Sequence, residues 1–309
     1  MINKVWQQFV SIFARWVVIP VSIVFGLSAC APAPVKIALV VPDLTNPFFQ
    51  TMANTATQYA SSRGYQLILI NSMGSSDHEY EQVVAAHQAG AQALLLVPSK
   101  ANQSAKTLSY ANQHNWPVIS IDRNVNAGEV ALHISSDNYM GAKMAGEYLL
   151  ALTHRQGNIL ELIGPMDISV SQDRNQGFAD VLEAYQQPST IKAVANFSQQ
   201  KAQQITAAML DQHPHIRAIF AHNDEMALGA AAAIAARPSL NPQIAIVGFD
   251  GTPAGLKAVQ QGRINATLVQ QPDAMITAAI NSAVNIINGA TPTPYLKVPL
   301  RLAQHNEAH

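Results

Sequence analysis

Polar and aromatic side chains that could bind a hydroxylated ligand recur just after the predicted β-strands of this 309-residue chain. Carboxylate and amide oxygens accept hydrogen bonds from ligand hydroxyls, and Arg and Asn side chains donate hydrogen bonds to the same hydroxyls. Aromatic rings pack against the C–H faces of such a ligand. A misplaced hydroxyl would leave such groups unpaired, so the set predicts a site selective for hydroxyl stereochemistry. The candidate residues are Asn46, Phe48, Phe49, Asp122, Arg123, Arg174, Asn223, Phe249, Asp250 and Gln270.

The adjacent rings of Phe48 and Phe49 lie at the predicted start of a helix. Neighbouring side chains on a helix point in different directions, so one ring is expected to face away from the core. Two interpretations stay open. Both rings pack beneath the loop, or at least one ring forms a flat apolar wall for a ligand.

Catalysis is the main alternative for this set of residues. Asp122 and Asp250 could act as the acid and base of a glycosidase, but each has a cationic or amide neighbour, and neither lies in an evidently apolar segment. The sequence contains no G-x-G-x-x-G, Walker, G-x-S-x-G, H-E-x-x-H or calcium-loop motif, and its ten histidines are scattered. We therefore expect a binding protein without catalytic activity, cofactor or metal.

The alternation of β-branched runs with helical patterns predicts the strands and helices that would position these residues. A helix is predicted to begin at Asn46-Pro47, because Asn suits the N-cap and Pro the first helical position, and to end at Gly64. The alternation restarts at Asp137, and the runs ALLLVPS and VISIDR of the first half correspond to AIFAHND and IAIVGFDG of the second. The pattern predicts an α/β fold with two Rossmann-like domains, each built on a parallel sheet.

Polar residues follow the carboxyl end of each predicted strand in both halves. Ligands of open α/β sheets bind at that edge. Two such domains facing each other would form a cleft lined from both sides. Solvated loop starts would explain one polar residue at such a position, but not five or six in phase.

The N-terminal segment has the pattern of an export signal. Lys4 and Arg15 precede an uncharged apolar stretch, Trp16–Ala29, which is too short for a comfortable membrane span. Leu27-Ser28-Ala29-Cys30 then resembles the bacterial lipobox, in which the signal is cut before the Cys and that residue is acylated. Residues 1–29 are therefore predicted to be a signal peptide, and residues 30–34 the lipidated Cys30 and a short tether. An uncleaved anchor with an incidental Cys is the alternative.

Length and composition limit the number of domains and the partners to expect for the remaining chain. About 280 residues follow the predicted signal, a length that suggests two domains. The chain is 49% hydrophobic and 12% charged, with a formal net charge of −1. This balance leaves no basic stripe for a nucleic-acid backbone, so we expect no nucleic-acid partner.

The segments resemble, in order, the type I periplasmic binding proteins of the ribose-binding class, which are receptors of sugar ABC transporters. The resemblance extends from Val35 to about Leu302. It is carried by KIALVVPDLTNPFF, VISIDRNV, ISSDNYMGAKMAGEYL, SQDRNQGF, IFAHNDEMALGA, IAIVGFDGTPAGLKAV and INATLVQQP. Any one segment alone would be a weak signal, whereas the ordered set is specific.

The resemblance assigns roles to the candidate residues. Asn46 is similar to the hydrogen-bonding Asn of the family, Phe48 and Phe49 to its stacking walls, and Asp122 and Arg123 to its paired acid and guanidinium. The matching positions in the second half are Arg174, Asn223, Asp250 and Gln270, with Phe197 as a third aromatic ring and Phe249 bordering the site. Pro42 departs from the small hydroxyl residue usual in ribose receptors. The sugar is thus left open among ribose, other aldopentoses, allose, galactose-type hexoses and furanoses.

The resemblance also implies a three-stranded hinge near residues 135–137, 270–272 and 297–299. The expected N-terminal lobe comprises residues 35–136 and 271–296, and the C-terminal lobe residues 137–270 and 297–309. The protein is expected to be a monomer that Cys30 holds to the bilayer on the periplasmic face. Closure on a monosaccharide would then let it dock on an ABC permease. A sensor that reports to a chemoreceptor or histidine kinase is the alternative. A lac-repressor-type regulator would need a helix-turn-helix where the export signal stands.

Overall fold

The computed structural model describes residues 33–187, 190–237 and 244–305. The predicted signal peptide and the predicted lipidation of Cys30 lie outside these residues. Pro34–His309 forms one compact unit. Within the described ranges, none of the helices combines the length and the apolar character that crossing a membrane requires.

Strands and helices alternate along almost the whole described chain. In the first half they are β1 (Lys36–Val41), α1 (Pro47–Ser62), β2 (Gln66–Asn71), α2 (Ser76–Gln88), β3 (Ala93–Leu96), α3 (Ala105–Gln113), β4 (Val118–Ile121) and β5 (Leu132–Ser136). The next are α4 (Asn138–Leu152), β6 (Asn158–Ile163), α5 (Ser169–Ala184), β7 (Thr190–Val194), α6 (Gln199–Gln212), β8 (Ile216–Ala221) and α7 (Asp224–Ala235). The last are β9 (Ala245–Asp250), α8 (Pro253–Gln260), β10 (Ala266–Val269), α9 (Pro272–Ile287), β11 (Tyr295–Val298) and β12 (Arg301–Gln304).

The strands form two six-stranded sheets, which define two lobes. The first lobe contains the sheet β2-β1-β3-β4-β5-β11, in which every pairing is parallel. The second lobe contains the sheet β7-β6-β8-β9-β10-β12, in which β12 alone runs antiparallel to its neighbour, β10. The prediction of an α/β fold with two parallel-sheet domains is confirmed.

Each sheet is covered by helices on both faces, which explains why its central strands are continuous apolar runs. In the first lobe, α1 and α9 cover one face, and the core there includes Met52 and Ile280. The opposite face packs against α2 and α3, with Val83 and Leu108 in the core. In the second lobe, α4 and α5 cover one face and α6 to α8 the other.

The chain passes between the lobes three times, after β5, after β10 and after β11. Side chains tie these crossings together: Lys297 Nζ lies 2.6 Å from Asp137 Oδ2, and Gln271 Nε2 donates to the Pro299 carbonyl at 2.9 Å. The last crossing falls beyond the lobe limit expected at residue 296, because Lys297 and Val298 still pair with β5. The crossings lie near the segments that the resemblance assigns to a hinge, and their action as a hinge stays a prediction.

Most element boundaries agree with those expected from the sequence to within a few residues. The largest differences concern the strands. The β-branched run before Phe249 predicts a strand over Gln243 to Val247, whereas β9 continues to Asp250; Gln243 lies outside the described residues. The extension makes Phe249 a strand residue instead of a loop residue, with consequences for the site.

Candidate ligand-binding site

A small cavity lies between the two lobes. Its volume, as filled by a water-sized probe, is about 20 Å³, and it is lined by Asn46, Phe48, Phe49, Asp122, Arg123, Val170, Arg174, Phe197, Asn223, Asp250 and Gln270. Ten of these residues were site candidates in the sequence, five from each lobe. Val170, an apolar residue of α5, was not predicted, because nothing in the sequence distinguishes it from a core valine. The structure brings the candidates together, and their contact with a ligand stays a prediction.

The start of α1 supplies three of the lining residues. Asn46 caps the helix, and its Oδ1 accepts a hydrogen bond from the Phe48 N–H at 2.9 Å. The rings of Phe48 and Phe49 meet edge to face with their centroids 5.2 Å apart. Both rings are buried in the first-lobe core and both also line the cavity. The two interpretations offered by the sequence therefore hold together: the rings pack beneath the loop and expose an apolar wall.

Asp122 and Arg123 follow β4 directly. Asp122 has a φ of 61°, a left-handed conformation that Asp tolerates better than most residues, and its N–H donates to the Ile134 carbonyl at 2.8 Å. The Arg123 guanidinium donates to the Pro98 carbonyl at 3.3 Å and lies 5.1 Å from the centroid of the Phe49 ring. Its Nε is 3.9 Å from Asp122 Oδ2. The left-handed turn thus directs an acid and a guanidinium into one cavity.

A buried carboxylate that was not predicted supports the loop beneath Arg123. Glu79 Oε2 accepts hydrogen bonds from the Ser99 N–H at 2.8 Å and from Ser104 Oγ at 3.0 Å, and Glu79 Oε1 accepts from Thr107 Oγ1 at 2.8 Å. These bonds fix the loop whose carbonyls accept from Arg123. Glu79 lies within a helix pattern rather than at a strand end, so no sequence signal indicated this role.

Arg174 is the central cation of the second lobe. Its Nε donates to Asn138 Oδ1 at 2.9 Å, and its Nη1 donates to the His222 carbonyl and lies 3.6 Å from Asp250 Oδ1. The guanidinium carbon lies 3.7 Å from the centroid of the Phe249 ring, a cation–π contact. Four groups of the protein itself therefore hold the Arg174 side chain in place.

The structure does not place Phe249 at the border of the cavity. Its side chain is fully buried in the core between the second sheet and helices α4 and α5. Side chains of a strand alternate between faces, so once β9 reaches Asp250, Phe249 points to the opposite face from its neighbour. Phe249 therefore does not border the cavity, and it touches the cavity wall only through its contact with Arg174.

The remaining polar residues of the second lobe stand at strand ends. Asn223 caps α7, accepting from the Met226 N–H at 3.0 Å. Gln270 Nε2 donates to Asp250 Oδ1 at 2.8 Å, and Asp250 has the unusual φ of 109°. These bonds use one polar atom of each amide and leave the other available.

Several buried polar atoms of the cavity have no hydrogen-bond partner within the described part of the chain. They are two acceptors, Asp122 Oδ1 and Gln270 Oε1, and two donors, Arg123 Nε and Asn223 Nδ2. Buried polar groups in proteins are nearly always paired, so four unpaired groups on residues that line one cavity call for a partner. A ligand with several hydroxyls both accepts and donates, and therefore meets this requirement.

The charged side chains of the cavity are all buried. Burial raises the pKa of Asp122, and it raises the pKa of Asp250 to about 8 although Arg174 acts in the opposite direction. Burial likewise lowers the pKa values of Arg123 and Arg174. Two carboxyls and two guanidiniums share one desolvated space, and with its pKa at about 8 the Asp250 carboxyl is mostly protonated near pH 7.

The lobes are closed on one another around this cavity. At its outer side, Lys100 Nζ lies 3.8 Å from Asp167 Oδ2, and the Ala101 N–H donates to the Asp167 carbonyl at 3.2 Å. The Asn124 N–H also donates to Ser169 Oγ at 2.9 Å. Each contact joins the first lobe to the second, so the cavity is enclosed by both.

Phe197 reaches the cavity through a strained turn. Asn196 and Phe197 have φ values of 54° and 58°, a conformation rare for an aromatic residue. The ring then lies against Gly164, where a side-chain methyl group would come within 2.4 Å of Phe197 Cζ. Only glycine at position 164 leaves room for the ring in this place.

We expect Gly164→Ala to lower ligand affinity about tenfold, because the added methyl displaces the Phe197 ring, an aromatic contact of about 1 kcal/mol or more. Isothermal titration with a ligand that the wild-type protein binds measures this loss of affinity. Gly146→Ala is the matched control, since its methyl would crowd Val181 Cγ1 at 3.0 Å within the core of the same lobe. In a double-mutant cycle, Gly164→Ala should cost less when Phe197 is already Ala, although the methyl would still meet Ser171 Oγ at 2.4 Å. Full additivity would contradict this account.

Two lobes with parallel sheets, three crossings and a closed polar cavity define a bilobal binding protein. The chain belongs to the periplasmic binding protein family, since the family described as "Periplasmic binding protein domain" matches residues 37–291. Among the described residues, no three His, Cys, Asp or Glu side chains form a group that could hold a metal ion.

Two curated relatives and one solved structure illustrate the similarity. The ribose import binding protein RbsB of Escherichia coli strain K12 is 35% identical over 276 residues, which cover 89% of this chain and 93% of that protein. The D-apiose import binding protein of Paraburkholderia graminis is 31% identical, with 87% of each chain covered. The crystal structure of a galactofuranose binding protein has a TM-score of 0.83 at 22% identity and covers 89% of this chain and 96% of that one. The last comparison establishes the fold alone.

Proposed function

We propose that this protein is the substrate-binding component of a sugar ABC importer and that it binds one monosaccharide, ribose or a related aldose, between its lobes. The observation that carries the proposal is the cavity between the lobes, with its aromatic walls and four unpaired buried polar atoms. The relatives named for ribose and D-apiose import support the same class of ligand. The protein then delivers the sugar to a membrane permease.

In this proposal, different polar groups of the cavity form hydrogen bonds with different hydroxyls of the sugar. Asp122 and Gln270 accept hydrogen bonds, and Arg123 and Asn223 donate them, through the atoms that have no protein partner among the described residues. Hydrogen bonds to charged groups contribute about 1.5–3 kcal/mol each, so a few of them decide between epimers. The C–H face of the sugar rests on the rings of Phe49 and Phe197.

Closure follows from contacts with both lobes. A ligand shifts a conformational equilibrium only through its different affinity for the two states. Since five of the proposed binding residues come from each lobe, the sugar gains its full set of contacts only when the lobes are closed. The three crossings act as the hinge, and closure about such a hinge is typical of periplasmic binding proteins.

The particular sugar stays within the proposal as ribose or a related aldose. Pro42 departs from the ribose pattern, and it lines the cleft between the lobes together with Arg123 and Phe197, which also line the cavity. Ribose remains a reasonable first ligand to test.

Export and anchoring complete the proposal. Residues 1–29 direct the chain across the membrane, and acylated Cys30 holds the monomeric binding protein at the periplasmic face. In this proposal the carboxyls of Asp122 and Asp250, each beside a guanidinium, bind sugar hydroxyls. No catalytic activity is proposed.

A thermal-shift screen of the chain from Pro34 onward against a panel of monosaccharides tests the function. Binding to the folded state alone adds about 2.7 kcal/mol of stability at a hundredfold excess over the dissociation constant. For a protein of this size we expect the Tm to rise by roughly 5–10 °C with the correct sugar. A sugar phosphate or sugar acid of the same stereochemistry should give a smaller shift. Unchanged Tm with every neutral sugar would contradict the proposal.

A further inference from the structure

A buried asparagine lies where the first crossing enters the second lobe. Asn138 is the first residue of α4, it follows the hinge residue Asp137, and only 3% of its surface is exposed. It does not line the enclosed cavity. Instead its side chain contacts Arg174, which does, and the end of β5, which belongs to the other lobe.

The orientation of the Asn138 amide follows from its partners. Arg174 Nε can only donate, so the atom 2.9 Å away must be the amide oxygen. The amide nitrogen then donates to the Ser136 carbonyl at 3.2 Å and approaches Ser135 Oγ at 3.4 Å. Both polar atoms of Asn138 are thus engaged, one with each lobe.

The contacts continue to the acid of the first lobe. Ser135 Oγ donates to the Asp122 carbonyl at 2.9 Å, and Ser135, Asn138 and Arg174 are all buried. A chain of hydrogen bonds therefore runs from a binding guanidinium of the second lobe, through the hinge, to a binding carboxyl residue of the first. Buried networks of this kind fix side-chain positions, since each broken bond leaves an unpaired group.

We propose that Asn138 is a positioning residue for ligand binding: it aligns the Arg174 guanidinium in the cavity and ties that alignment to the hinge. The inference rests on the proposed sugar-binding function. Arg174 Nε would otherwise lose its acceptor, leaving the guanidinium free to turn about the His222 carbonyl and Asp250.

The test measures sugar affinity by isothermal titration for Asn138→Ala and Asn138→Asp. Asn138→Ala removes both contacts and should weaken binding about 10–100-fold, the effect of one hydrogen bond to a charged group. Asn138→Asp keeps an oxygen acceptor for Arg174 and should restore most of that affinity. Adding Asn138→Ala to Arg174→Met should cost no further affinity, because the residue acts through Arg174.

Asn175→Ala is the matched control, since this neighbouring amide accepts from Lys192 at the surface and should leave affinity unchanged. Wild-type affinity in Asn138→Ala would overturn the inference, and so would an Asp variant as weak as the Ala variant. If Asn138→Ala does not fold, as judged by circular dichroism, the Asp variant alone decides: near-wild-type affinity supports the role and a 100-fold loss contradicts it. Failure of the wild-type protein to bind any sugar would instead refute the proposed function.

Discussion

Asp122→Ala should abolish sugar binding while leaving the fold intact. The variant removes an unpaired acceptor from the cavity and leaves Arg123 and Arg174 in a buried space with one carboxyl fewer. Loss of one partner from a buried charged pair at an interface costs about 2–5 kcal/mol of binding free energy. We expect a dissociation constant raised roughly thirtyfold to several thousandfold, as measured by titration calorimetry.

The fold should survive because Asp122 contributes little to the stability of the unliganded protein. Burial raises the pKa of this carboxyl, so its ionisation is itself unfavourable in the folded state. Alanine at a φ of 61° adds a strain of about 1 kcal/mol. Asp122→Asn avoids that strain, since Asn tolerates the left-handed region, and separates the backbone effect from the loss of the carboxylate. Unchanged affinity in Asp122→Ala would refute the site assignment.

The cavity residues that the sequence revealed share one property: they lie at the carboxyl ends of parallel strands or at the helix starts that follow. All such ends meet at one edge of a sheet, so Asp122, Asn223 and Asp250 could be grouped without knowledge of the fold. The resemblance to the ribose-binding class then supplied Phe197, whose position depends on a strained turn. Ten of the candidates line the cavity for these reasons.

Phe249 shows where this approach fails. It stands next to Asp250 in the sequence, and the expected end of β9 at Val247 put both residues in a loop. The strand continues to Asp250, so one side chain faces the cavity and the other faces the core. A strand end misplaced by three residues still leaves Asp250 near the carboxyl end of the strand, but it reverses the interpretation of the neighbouring aromatic residue.

Residues that act through others left no trace in the sequence. Asn138 looks like a helix-start residue, Glu79 like a charge on a helix, and Gly164 like a loop glycine. Their roles depend on partners 36, 20 and 33 positions away along the chain: Arg174, Ser99 and Phe197. Contacts at such separations are set by packing, and neither periodicity nor composition reports them.

Asp250→Asn should stabilise the unliganded protein at pH 8 while weakening sugar binding. Burial raises the pKa of Asp250 to about 8, far above its ordinary value of 3.8, so the folded state binds this proton more tightly than the unfolded chain does. The contribution to the free energy of unfolding is therefore fully present below about pH 4 and is lost as the pH rises through about 8. The amide of the Asp250→Asn variant does not titrate, so the variant does not lose this free energy of unfolding as the pH rises.

Urea unfolding at pH 4.5, 6.5 and 8 without sugar measures this effect. The two proteins should have similar stability near pH 4.5, and the variant should gain up to about 5 kcal/mol over the wild-type protein by pH 8. Asp211→Asn, which removes an exposed carboxylate beside Arg237, is the control for a change in net charge. Parallel pH profiles for wild type and Asp250→Asn would contradict the prediction.

Measured above pH 8, where Asp250 is a carboxylate, the same variant should lose about tenfold or more in sugar affinity, because an amide accepts a weaker hydrogen bond than a carboxylate does. A residue held at a φ of 109°, buried beside Arg174 and costly to ionise does not serve the stability of the empty protein. Such strain persists where binding requires it, and its removal exchanges function for stability. A variant that is more stable and binds less tightly would therefore assign Asp250 to the ligand rather than to the fold.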